Sequence, residues 1–231
     1  MANDILTTPL VWMTLTLTAY EAGFWLHRRL KEPVLIPPML LSLTILIVVL
    51  LAMDVNYQQY FKANAFIHFL LGTSTVALAV PLYQSLPRLK AAALPLLVVL
   101  VIGSVVGAGI ALALAQLSGL SHSSVLAFAT RAVTTPMALG IAEKIHAPLA
   151  LASAIVIVSG LVGAIAAEAL LKFVRHDMAK GFALGLAAHG VGTARALQIS
   201  PTAGAFAALG MSLNGILTAL WLPSVIKWVF N

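Results

Sequence analysis

Three ionisable residues stand where an apolar chain should carry none. Arg131, His189 and Arg195 lie within "ATRAVTTPMALGI" (129–141) and "AAHGVGTARALQI" (187–199), stretches that are otherwise apolar, small or hydroxylated. A charge at the centre of a bilayer costs about 2.5 to 3.5 kcal/mol on insertion scales, so such residues face a protein interior or water. The planar fork of an arginine matches a carboxylate, donating two parallel hydrogen bonds. Histidine changes charge near neutral pH, which suits His189 to contacting a ligand or to coupling with protons. Thr134, Thr135 and Thr193 add hydroxyl donors, and Ser74 and Thr75 supply the same chemistry in a third stretch, "LLGTSTVALAV" (70–80). Together these groups describe the binding of a small anion. There is no phosphate-binding or dinucleotide loop, no HExxH zinc site and no paired acids of a hydrolase. No enzyme activity, cofactor or metal is therefore expected.

The three stretches resemble one another. Aligning "GTSTVALAV" (72–80), "VTTPMALGI" (133–141) and "VGTARALQI" (191–199) stacks Ser74, Thr135 and Thr193 in one column, and the last two copies share five of nine residues. Arg131 and His189 each stand four residues before that column. A hydroxyl there suits a helix N-cap, and Pro136 follows Thr135 as a good first helical residue. Each stretch thus reads as a break where one half-helix ends and another begins. A new half-helix presents free amides and the positive end of its dipole, a device transporters use to hold anions at mid-membrane. The structural alternative stays open: either arginine caps carbonyls of a preceding half-helix, and His189 donates to a neighbouring backbone.

The elements that position these groups are membrane helices. Of 231 residues, 61% are hydrophobic and 9% charged, with a mean hydropathy of +1.03; a soluble domain carries about 25% charged residues. Apolar segments fall at about 7–26, 34–53, 61–86, 91–117, 122–146, 149–173, 178–199 and 203–229, each close to bilayer length. The expected fold is a single all-α polytopic membrane domain over 1–231, with about seven to eight transmembrane segments including broken or re-entrant helices. Seven crossings plus a re-entrant element at 122–146 best reconcile the loop charges. Arg28, Arg29, Lys31, Arg88, Lys90, Lys172, Arg175, Lys180 and Lys227 then lie in the cytoplasm and the N-terminus outside. The net charge of +6 comes from such short runs, which are topology signals and not a nucleic-acid surface. The absence of cysteine removes disulfides and thiolate sites.

Other polar residues read as structural. Glu168 is spaced for an ion pair with Lys172, and His68 reads as a packed histidine. Gly103 with Gly107, and Gly181 with Gly185, have the spacing that lets helices approach closely. Trp12, Trp25, Trp221 and Trp228 fall where interfacial anchors belong.

The chain resembles the LrgB/CidB family of membrane proteins. The segments that carry the resemblance are "TSTVALAVPLY" (73–83), "AVTTPMALGI" (132–141), "AKGFALGLAAHGVGTARAL" (179–197) and "GAFAALGMSLNGI" (204–216), in order over nearly the whole chain. The resemblance implies a multi-pass protein of the bacterial inner membrane, an antiholin-like regulator of murein hydrolase activity that works beside a small LrgA/CidA-type membrane protein. It also implies kinship with the plastidial glycolate/glycerate transporter and with carriers of pyruvate or other small carboxylates. Arg131 stands where the family pattern has a lysine, Ala188 where it has a serine, and Ala203 where it has an acidic residue. The last change bears on any coupling mechanism that uses that carboxylate.

Two functions follow. One is a carrier for small monocarboxylates or 2-hydroxy acids of the glycolate, glycerate, lactate or pyruvate type. Its anion is held by Arg131, Thr134, Thr135, His189, Thr193 and Arg195, with Ser74 and Thr75 beside them. The other is an antiholin-like regulator of murein hydrolase activity or lysis, acting with the small membrane partner. The lipid bilayer is common to both, and assembly as a homo-oligomer is left open. The geometric discriminator is whether Arg131 and Arg195 face one cavity.

Overall fold

A computed structural model gives the fold and describes residues 8–31, 36, 38–67, 69–70, 79–84 and 86–230. Ser74, Thr75, His68 and the side chain of Glu168 lie outside the described residues. All regular structure among the described residues is helical. The chain divides into two units, 1–77 and 78–231.

In the first unit, α1 (Pro9–Arg29) packs on α2 (Pro38–Ala52), and α3 (Tyr57–Ala63) is bent from α2 by 119°. Gly23 makes the α1–α2 contact possible, since a Cβ there would stand 2.8 Å from the carbonyl oxygen of Pro38. Trp12 is fully buried and meets Tyr60 edge-on at 5.9 Å. Thr16 adds a hydroxyl shared with Tyr60 at 2.9 Å. Trp12 is therefore a core residue and not the interfacial anchor its sequence position suggested; the aromatic partner that buries it lies 48 residues away in sequence. Trp25 and Trp228, 59% and 86% exposed, remain on the surface.

The second unit begins with two short helices, α4 (Ala79–Gln84) and α5 (Leu86–Ala91). Three long apolar helices then form its frame: α6 (Ala93–Leu117), α9 (Leu149–Leu170) and α11 (Pro201–Phe230). Each contains a stretch long and apolar enough to cross a membrane. Between them lie the two interrupted segments, α7 (His122–Phe128) with α8 (Thr135–Lys144), and α10 (Asp177–Ile199).

α10 is one helix only in name. His189 adopts φ 41° and ψ −123°, far from helical values, and the chain reverses there. Ser200 Oγ donates to Asp177 Oδ2 at 2.8 Å, whereas 23 residues of straight helix would span about 34 Å. A Cβ on Gly192 would overlap the carbonyl oxygen of Leu184, a residue about 12 Å away along an unbroken helix. Residues 177–199 are thus a hairpin that returns to the end of the unit it left. The expectation of a crossing over 178–199 is corrected: hydropathy measures apolar length but not direction. Glycine at 192 permits the two arms to touch.

The core is divided in the same way. Near one end, the second half of α6 (Ala108, Leu112) packs with α7, α8, the first half of α9 (Ala152, Val156) and the last turns of α11 (Leu222). Near the other, the first half of α6 (Leu100) packs with Phe182 and Phe206, while Leu184, Ala196 and Ala203 meet the end of α9 through Ala167 and Leu171. The segment 122–144 therefore stays in one half of the unit and α10 in the opposite half, with their turns directed at one another across the middle. Gly181 and Gly185 seat α10 against α11, where a Cβ would overlap the carbonyl oxygens of Ala203 and Ala207. These small-residue pairs serve internal packing.

Candidate functional site

The two turns meet on the middle of α9. Ser159 Oγ donates to the carbonyl oxygen of Arg131 at 2.7 Å. The next residue, Gly160, forms the notch for the His189 imidazole: a Cβ there would stand 2.9 Å from Nε2. Arg131 and His189, aligned in the sequence register, thus occupy the turns of opposed hairpins and lean on consecutive residues of the same helix.

Their surroundings differ. The Arg131 guanidinium is partly exposed and donates from Nη2 to the carbonyl oxygen of Gly107, in the middle of α6, at 3.2 Å. His189 is 4% exposed, and its Nε2 has no hydrogen-bond partner. An unpaired buried polar atom is costly, and the left-handed backbone at His189 adds about 1 to 3 kcal/mol of strain. The pairing of strain with an unsatisfied nitrogen singles out His189. The half-helix 190–199 starts beside it, with the unbonded amides and positive dipole end that every helix start presents.

The hydroxyl residues fall in unequal places. Thr134 is the N-cap of α8 by position but makes no side-chain capping bond, and Thr135 with Pro136 opens the helix. Thr193 does not cap: the break lies four residues earlier, and its hydroxyl donates to the carbonyl oxygen of His189 at 2.9 Å. The hydroxyl column therefore holds in sequence but not in capping role, because the reversal occurs at His189 itself. Thr193 instead braces the strained residue.

Arg195 is placed apart. It donates to Gln198 Oε1 at 2.6 Å and lines a cavity of about 100 Å³ with Lys172, Lys180 and Leu184, two turns beyond the reversal toward the open end of the hairpin. Arg131, on Gly107, faces elsewhere. The discriminator set by the sequence thus returns separate places, and the fold builds no two-arginine grip. Arg131, Thr134, Thr135, His189 and Thr193 belong to or border the two turns; Arg195 does not.

Asn214 was missed by the sequence reading. It sits in the middle of α11, 1% exposed, and its Nδ2 donates to the carbonyl oxygens of Ala132 at 2.7 Å and Leu186 at 3.4 Å. The available signal was a lone amide in the apolar run "GMSLNGILTAL" (210–220). Ser104, Thr218 and Trp221 extend from it as a polar chain.

Apolar spanning helices surrounding two opposed broken elements define a multi-pass membrane protein. The chain belongs to the LrgB-like family, whose model matches residues 16–228. It is 32% identical over 225 residues to the uncharacterized protein YxaC of Bacillus subtilis, covering 96% of each chain. It is 30% identical over 224 residues to the antiholin-like protein LrgB of Bacillus mycoides, covering 96% of this chain and 97% of that one. With the holin-like protein CidB of Staphylococcus epidermidis it shares 26% identity over 226 residues, covering 97% and 98% respectively. No solved structure matches.

Proposed function

We propose that this protein is a carrier for small monocarboxylates or 2-hydroxy acids, with its anion held between the two hairpin turns. The observation that carries the reading is His189: a buried imidazole with an unpartnered Nε2, at a strained break and at the start of a half-helix. Arg131 supplies the fixed positive charge, and the Thr134 and Thr135 hydroxyls lie at the head of α8. One permanent cation at the meeting point favours a monoanion. A further carboxylate on the ligand would face an apolar core without a partner, at a cost of several kcal/mol. Arg195, with Lys172 and Lys180, lines the route from one end and is no ligand of the central site. His189 is also the residue to which proton coupling is assigned.

The two hairpins read as re-entrant elements, which leaves α6, α9 and α11 as the crossings of the second unit. The first unit supplies further crossings, and the reading keeps about seven to eight membrane segments in all. Arg88 meets Thr202 at 3.1 Å at the start of α11, and Lys172, Arg175 and Lys180 lie at the mouth of α10. By the excess of lysine and arginine this end is cytoplasmic, which puts Lys227, in the last turn of α11, on the other side and reverses its expected cytoplasmic placement. By the same rule Arg28, Arg29 and Lys31 place the N-terminus outside.

A second reading is favoured by the names of two relatives, holin-like CidB and antiholin-like LrgB. In it the protein regulates lysis with a small membrane partner of the LrgA/CidA type, and the buried turns serve rigidity. Purified protein in liposomes separates the two. Carrier function predicts uptake of labelled glycolate, lactate or pyruvate under a pH gradient, and stabilisation by the same anions in a thermal-shift assay. Failure of all three to move, with and without the small partner, would end the carrier reading.

A further inference from the structure

We propose that Asn214 is a positioning residue that clasps both hairpin turns to α11 and so fixes Arg131 and His189 relative to each other. Each carbonyl it holds is left over by a break. Leu186 is among the last four carbonyls of the half-helix 177–188, which have no partner along their own helix. Ala132 lies in the connection between α7 and α8, next to Arg131. The two N–H groups of one carboxamide satisfy one such oxygen in each hairpin, at 2.7 and 3.4 Å. No other side chain among the described residues donates to the turns of both hairpins.

The carboxamide is itself held in one orientation. Thr218 Oγ1 donates to Asn214 Oδ1 at 3.5 Å. Since that spends the Thr218 proton, the 3.0 Å contact between Ser104 and Thr218 has Ser104 as donor. Trp221 Nε1 then donates to Ser104 Oγ at 3.0 Å. The resulting chain runs Trp221, Ser104, Thr218, Asn214, with every hydrogen directed toward the amide oxygen. It leaves the amide nitrogen facing the two turns, and it links α6 to α11 on the way. A buried chain of this kind is effective because each member is satisfied. Ser104, Asn214 and Thr218 are between 1% and 3% exposed.

The clasp stands on geometry alone, whereas its effect on anion affinity rests on the carrier reading. Asn214→Leu keeps the branch at Cγ and the number of side-chain heavy atoms, adds no charge and removes both donors. Hydrogen exchange of the detergent-purified protein should then rise about tenfold at both 129–135 and 186–193, because two buried carbonyls lose their donors. Segments 93–100 and 149–155 should keep wild-type rates. Exchange rising at one turn only, at neither, or equally throughout overturns the clasp. Should Asn214→Leu fail to fold, Thr218→Val, which frees the amide to rotate, is read by the same outcomes. In liposomes that take up glycolate, the variant should raise KM about tenfold with kcat changed less than about twofold, as expected when binding geometry and not chemistry is loosened. A fall in kcat at unchanged KM overturns the positioning role. Wild-type protein that moves no anion sinks the carrier reading and leaves the exchange result standing.

Discussion

The two hairpins of the second unit place a basic residue at the same depth by different means. In 122–144 the reversal is spread over a six-residue connection, Arg131 keeps partial contact with the exterior, and its charge is answered by the Gly107 carbonyl. In 177–199 the reversal is concentrated in a single residue with φ 41°, and the imidazole is sealed against Gly160. A loose turn tolerates a permanently charged side chain because water or a neighbouring carbonyl reaches it. A tight turn shuts out solvent and leaves the imidazole one backbone partner, the carbonyl of Val156, which suits a group that is able to be neutral. The pair therefore combines a fixed charge with a titratable one, the division a carrier of weak acids needs.

The sharpest way to break the comparison is through packing. Gly185→Leu forces a side chain into the Ala207 backbone and should destabilise by more than about 3 kcal/mol, abolishing a monodisperse peak in size-exclusion chromatography. Gly140→Leu in the other hairpin has nothing within 4 Å of its Cβ, and should leave that peak unchanged. If both variants survive, the tight seating of 177–199 is wrong.

The functional contrast comes next. Arg131→Gln and His189→Gln should each lower initial uptake of glycolate about 10- to 100-fold, the loss of one charge-assisted or buried hydrogen bond to the anion. Arg195→Gln, outside the turns, should cost less than about threefold, since Arg195 acts on the anion only through long-range attraction. Equal losses at 131 and 195 in proteoliposome assays would restore a shared two-arginine site.

Smaller effects sharpen the picture. Gly160→Ala pushes on His189 and should destabilise by about 1 to 3 kcal/mol. Gly107→Ala, whose Cβ would sit at an ordinary 3.7 Å from Arg131, should change stability by less than about 0.5 kcal/mol. Ser159→Ala removes the bond to the Arg131 carbonyl and should cost about 1 kcal/mol. Denaturant unfolding in one detergent ranks all three; an inverted order for the two glycines would contradict the notch at Gly160.

Composition and the spacing of apolar segments determined by themselves that this chain is a helical, multi-pass membrane protein, since no soluble core encloses so much apolar surface. The same residues marked where regular helix fails, because arginine, histidine, threonine and glycine in a membrane segment each need a local reason. The register of "VTTPMALGI" with "VGTARALQI" even equated Arg131 with His189. Direction was beyond it: a break that kinks a crossing helix and a break that reverses it have the same hydropathy. The contacts of Ser200 with Asp177 and of Gly192 with Leu184 across the arms of α10 decide between them. Arg195 shows the same limit, since six residues after a reversal a side chain lies near the mouth of the hairpin, not on the far side of the break. The role of Asn214 was likewise settled by tertiary structure, because its two acceptors come from segments 82 and 28 residues away. Local chemistry is written in the order of residues, but which orphan carbonyls meet which donor is fixed only when the helices pack.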